Sequence, residues 1–164
     1  MSLHPFPVSR QEDAARALEA AVADLRAAIE GCPDEEWHVV TANGWTRAAI
    51  AMHCAMGNDV GTAWMAFMVS GRDILDDSEF HDRMNARVAD RTRLASKKEA
   101  FEALTRTSER ARSFVLALTD EELERPARHG IAEREMTAGQ FMANFGRHVR
   151  AHTEQFRAGL APSP

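Results

Sequence analysis

The sequence predicts an all-α protein, an up-and-down four-helix bundle with one short extra helix, formed as a single domain over residues 1–164. Three observations carry that prediction. Apolar residues recur at intervals of three and four through the long segments, the repeat of a helix with one buried stripe. Several of those segments open on Ser or Thr followed three residues later by Glu or Gln, the capping-box signature. Almost nothing alternates with the two-residue period of a strand. The one strand-like fragment, "WHVVT" at 37–41, is too short and isolated for a sheet.

The elements follow in order. The first helix starts at Ser9, with Glu12 three residues on, and carries Leu18, Val22, Leu25 and Ile29 until Gly31 and Pro33 stop it. The linker "CPDEEWHVVTANG" leads to Trp45-Thr46, where Thr46 is the expected N-cap of a second helix running to Ser70. At roughly 24 residues it would be about 36 Å long, a length suited to a bundle. An acidic loop, "RDILDDSEF", precedes a polar helical stretch through "MNARVADRTRLA". Ser96 and Glu99 then open a helix carrying Phe101, Leu104, Ala111, Phe114, Val115 and Leu118. Thr119 to Glu122 cap a short turn closed by Pro126. The segment "ARHGIAEREM" is expected to be a loop. Thr137, with Gln140 in the capping-box position, opens a final helix to about Arg157.

Composition excludes several function classes. The chain is 45% apolar and 27% charged, with a net charge of -5, and its basic residues are interleaved with acids. A nucleic-acid-binding surface would need a basic stripe, so no nucleic-acid partner is expected. Two cysteines, Cys32 and Cys54, without CxxC spacing suggest a reducing compartment and no disulfide framework. With no apolar h-region in "MSLHPFPVSR" and no membrane-length apolar run, the expected location is cytoplasmic, away from membranes.

The chemistry lies in the histidines. His148 and His152 stand four residues apart in the final helix, which puts their Cβ atoms roughly 5–6 Å apart on one face. Metal–nitrogen bonds are about 2.0–2.1 Å, so two such imidazoles can converge on one cation. A third inward histidine, His53, lies on the stripe Ile50-His53-Gly57-Val60-Trp64 of the second helix. If the two helices run antiparallel, the depths of the three match. Core-edge histidines satisfied by hydrogen bonds are the competing explanation. Three imidazoles at one depth favour a metal over it, because desolvating them is expensive. Three neutral imidazoles with open positions form the ligand set of catalytic zinc, and suit nickel or ferrous iron as well. Gly57 has two explanations of equal weight: space above a metal, or close helix approach. His4, His38, His81 and His129 fall in termini, loops or polar stretches, and Cys54 points about 100° away from His53. Asp59 and Glu154 are near in sequence but off the ligand faces, so no fourth protein ligand is evident. Di-iron Glu-x-x-His pairs, His-Glu-x-x-His, Gly-x-Ser-x-Gly and phosphate-cradling loops are all missing.

Two stretches carry a family resemblance. "GWTRAAIAMHCA" (44–55) resembles the second helix of the DinB-like bundles, and "TAGQFMANFGRHVRAHTEQF" (137–156) resembles their last helix, with His-x-x-x-His followed by Gln155-Phe156. Residues 85–123, ending in "ALTDEEL", are similar to the family's third helix and its exit. The resemblance implies a four-helix bundle holding a divalent ion, zinc or nickel with iron or manganese as further candidates, on His53, His148 and His152. It further implies a homodimer and a small-molecule substrate. Members include transferases using bacillithiol, mycothiol or related low-molecular-weight thiols, maleylpyruvate isomerase-like enzymes, and proteins resembling metal-dependent hydrolases. The expected activity is therefore a metal-dependent transferase activating a small thiol, with a hydrolase or a non-catalytic stress-related bundle as the alternatives.

Overall fold

The computed structural model describes residues 9–159, so the expectations placed on His4 and on the terminal "APSP" lie outside the described residues. Helix α1 spans Arg10–Gly31, and a single turn, α2, spans Asp34–Trp37 within the segment expected to be a linker. Helices α3 (Arg47–Val69), α4 (Ser78–Thr92) and α5 (Lys97–Ala117) follow, then a short α6 (Asp120–Leu123). The strands β1 (Pro126–His129) and β2 (Arg134–Thr137) precede α7 (Ala138–Met142) and α8 (Asn144–Arg157).

The caps form where the sequence calls for them. Reciprocal capping boxes join Ser9 to Glu12, Ser96 to Glu99, Thr119 to Glu122 and Thr137 to Gln140. Each satisfies backbone N–H groups that a helix start leaves without partners. Thr46 caps α3 by accepting from the Ala49 N–H, and its hydroxyl donates to the Arg93 carbonyl (3.1 Å). "WHVVT" contributes one antiparallel bridge, Val40 to Thr46, and no sheet.

Helices α1, α5, α3 and α8 close a ring in that order, each packed on its two neighbours, and α4 lies outside against α3. Contacts set the directions. Gln11, Glu19 and Arg26 of α1 meet Leu118, Arg112 and Phe101 in turn, so α1 and α5 are antiparallel. Ala17 and Asp24 meet Gly146 and Arg157, so α1 and α8 are parallel. Along α3, His53, Gly57 and Gly61 meet His152, His148 and Phe145, so α3 and α8 are antiparallel. Trp64 beside His81 and Thr46 beside Arg93 make α4 antiparallel to α3. The chain thus runs up and down through α1, α3, α4, α5 and α8.

The core is a single apolar cluster running the length of the ring, with Leu18, Leu25, Ile50, Met65, Leu104 and Phe156 fully buried. Arg47 is buried among them at 2% exposure. Its guanidinium donates to the carbonyls of Phe156 (2.9 Å) and Ala158 (3.0 Å) at the end of α8 and to the carboxylate of Glu36 (3.1 Å). The end of α8 is thereby tied to the start of α3. No helix among the described residues is long and apolar enough to cross a membrane.

Two expectations need correction. The presumed loop 127–136 is an antiparallel hairpin, pairing Pro126 with Thr137, Ala127 with Met136, Arg128 with Glu135 and His129 with Arg134. The hairpin is held from outside: Ile74 donates to the Arg128 carbonyl and accepts from Gly130 N–H. The expected single final helix is broken at Ala143 (ψ -14°) into α7 and α8. No glycine or proline marks the break, which tertiary packing imposes on a sequence that is locally helical.

Candidate metal centre

His53, His148 and His152 come together across the α3–α8 interface. One ring nitrogen from each can be chosen such that all three lie within 4.8 Å of one another. His53 Nε2 and His148 Nε2 are 3.1 Å apart, close to the about 3.3 Å expected between two nitrogens bound tetrahedrally to one ion at 2.0–2.1 Å. The ring centroids lie 4.5–5.0 Å apart, the extremes being His53–His152 and His53–His148.

The surroundings keep these rings neutral. Burial first, then the neighbouring imidazoles of His152 and His148, lowers His53 from the usual 6.5 to about 3. Burial, again first, and His152 lower His148 to about 4, and burial lowers His152. A neutral imidazole keeps the lone pair that a cation needs.

Orientation is set by a chain of hydrogen bonds. His152 Nδ1 donates to Gln155 Oε1 (2.8 Å), which leaves Nε2 as the ring's electron-pair donor. Gln155 Oε1 also accepts from Asn43 Nδ2 (3.1 Å), and Asn43 Oδ1 accepts from the Trp45 N–H (3.2 Å) and the Thr41 hydroxyl. Such outer partners fix the tautomer and ring angle of a metal-ligating histidine. The Trp45 indole stacks on His152 (6.3 Å, 11°) and meets His53 edge-on (5.0 Å), shielding the cluster.

Gly57 now has one explanation. A Cβ there would sit 2.5 Å from His148 Cε1. The missing side chain is the space His148 occupies.

From His53 and His148 an open-mouthed cavity of about 340 Å³ extends beneath α4, walled by Trp64, Val60, Phe141 and Phe145 and bordered by the hairpin. His81 and His129, which sequence reasoning set aside, both line it; His152 does not. His129 is buried at 5% exposure, stacked on Phe141 and edge-on to Trp64. In β1 the buried residues Ala127 and His129 alternate with exposed neighbours, a pattern too short to stand out in the sequence. His38 instead lies on the surface beside the Ala95 carbonyl (3.3 Å). Asp59 is paired with Arg110 (2.8 Å), Glu154 is exposed, and Cys54 is fully buried with its thiol pushed up to about 12.

A model of the DinB superfamily matches residues 17–156. The chain belongs to the DinB superfamily. Solved structures share the fold of this DinB-superfamily protein at low identity. YfiT from Bacillus subtilis, described as a probable metal-dependent hydrolase with an unusual four-helix bundle topology, superposes with a TM-score of 0.69 at 18% identity, over 95% of this chain and 91% of that one. A mycothiol-dependent maleylpyruvate isomerase superposes at 0.73 and 13% identity, over 98% of this chain and 65% of that one. A histidine-to-alanine mutant of that isomerase gives 0.74 at 12% identity, over 98% and 64%. This chain therefore spans about two thirds of the isomerase's length. No curated protein matches the sequence. At these identities the likeness establishes the fold and leaves the chemistry to the site.

Proposed function

We propose that this DinB-superfamily protein is a metal-dependent enzyme that holds a divalent ion on His53, His148 and His152 and transfers a low-molecular-weight thiol onto a small molecule held in the adjoining cavity. The observation that carries the metal site is the convergence of one buried and two half-buried neutral imidazoles whose donor atoms lie within 4.8 Å of one another. Zinc and nickel suit three imidazoles best, with iron and manganese as further candidates.

A bound divalent ion would lower the pKa of a coordinated thiol or water and so supply a nucleophile at neutral pH. The protein's own contribution is positioning. Gln155 and Asn43 hold His152 in one tautomer, Gly57 admits the His148 ring, and Trp45 keeps solvent off one side. The cavity offers an apolar wall for the second reactant.

The choice of thiol over water rests on the lining. No Asp or Glu lines the cavity, so no carboxylate is at hand to take a proton from water, the role a glutamate plays in zinc peptidases. A thiol, with an ordinary pKa near 8.5, gives up its proton far more readily. Metal-dependent hydrolysis is the second reading, supported by the same three imidazoles.

Protein purified without an affinity tag should carry close to one equivalent of metal, and His148→Ala should lose it while keeping its helical spectrum. Turnover of electrophilic substrates should require added bacillithiol, mycothiol or a related thiol. A wild type without stoichiometric metal overturns the metal site. Turnover that is indifferent to thiol moves the assignment to hydrolysis.

A further inference from the structure

Besides His53 and His148, the cavity carries a second polar surface, built on the hairpin. His129 and Arg134 are directly paired across the β1–β2 ladder. Directly opposed residues present their side chains on the same face, with Cβ atoms about 4.5–5.5 Å apart, and both line the cavity. His129 Nδ1 accepts the Ala132 N–H (3.3 Å), so the neutral ring carries its proton on Nε2. Arg134 makes no ion pair among the described residues.

A third donor lies deeper. Asn58 is 1% exposed and lines the cavity, and its Nδ2 has no hydrogen-bond partner among the described residues. A buried amide left unpaired carries its full desolvation penalty, and such a group calls for an acceptor supplied by a ligand. The charge balance agrees. The chain has 25 acidic residues in 164, yet none lines this cavity. The Asp76 carboxylate, whose charge acts on His129, accepts from the Trp64 indole N–H (3.1 Å) and stands outside the lining.

We propose that the substrate of this cavity is a compact apolar carboxylate, its body against Trp64 and Phe141 and its oxygens taken up by the N–H groups of His129, Arg134 and Asn58. This places the reacting end of the molecule beside His53 and His148, and to that extent rests on the metal-site reading. His129 and Arg134 are then the residues that decide specificity. A cationic ligand of the same shape would meet these three donor groups, one of them a guanidinium, with no carboxylate among the described lining residues.

The test uses three probes of one shape, 3-phenylpropanoate, 3-phenylpropanamide and 3-phenylpropylamine, titrated by calorimetry into metal-free protein so that coordination to a metal contributes nothing. The carboxylate should bind at least about tenfold tighter than the amine. Arg134→Gln, an exposed position whose change leaves the fold intact, should remove most of the preference over the amide. His129→Phe and Asn58→Leu should weaken carboxylate and amide together. Equal binding of carboxylate and amine, or a carboxylate preference untouched by Arg134→Gln, overturns the proposal. The two readings fail separately: a His148→Ala protein that keeps the preference but binds no metal supports the pocket. A zinc-loaded protein without the preference retains the metal site and loses the pocket.

Discussion

At residue 57 two physical effects oppose each other. Alanine is worth about 1 kcal/mol more than glycine in a helix interior, so Gly57→Ala should steady α3 taken alone. The added methyl, however, would meet the His148 ring at 2.5–3.3 Å, and the ring must move to admit it. The expected outcome is a large fall in metal affinity by calorimetry, with little loss of helix or of melting temperature in the metal-free protein. A variant that binds metal as tightly as wild type would show that His148 is not held where Gly57 leaves room. The three ligand candidates were legible from spacing because helix geometry converts i, i+4 into a shared face. Asn43 and Asn58 were not, since the roles of both depend on side chains far away in the chain.

At the scale of elements the hairpin β1–β2 matters most, because it borders the cavity and carries His129 and Arg134. Its four-residue connection places Glu133 at φ 51°, a left-handed conformation that disfavours side chains with a Cβ. Glycine adopts it freely, at some cost in unfolded-state entropy. Glu133→Gly should therefore stabilise the protein by about 0.5–1 kcal/mol, read as a higher denaturation midpoint with an unchanged slope. A lower midpoint would mean that the Glu133 side chain is itself engaged. Strands of four residues give little alternation to detect, and this pair gains its stability from Ile74, whose approach no local pattern announces. The caps behave differently. Ser9, Thr46, Ser96, Thr119 and Thr137 were all readable, because capping depends only on residues three apart.

Across the whole molecule, three neutral imidazoles, His53 buried and His148 and His152 half-buried, make stability depend on pH. Each has a folded pKa below its unfolded value of about 6.5, so the unfolded chain takes up protons first as pH falls. Above 6.5 both states are neutral there and nothing is lost. Between 6.5 and the values of about 4 for His148 and about 3 for His53, the metal-free protein should lose stability steadily. Denaturant midpoints at pH 7.5 and 5 should show it, and His53→Gln should flatten the slope; a flat wild-type profile would contradict the burial of the rings. The homodimer stays a proposal on narrower ground. Of the large apolar side chains in the second half of α3, Met65 and Met68 are fully buried and Trp64 lines the cavity, which leaves Phe67, 39% exposed under the Arg72 guanidinium. Light scattering should return twice the chain mass, and Phe67→Glu should halve it.

Sequence alone determined the long helices α1, α3 and α5, the caps and the candidate histidines, because each follows from spacings of three and four along one segment. Only the tertiary structure decided that Gly57 makes room for His148, that His129 and Arg134 face each other on a hairpin, and that the cavity has no carboxylate. Those facts depend on which surfaces meet, and surfaces meet through packing between segments that the local pattern does not encode.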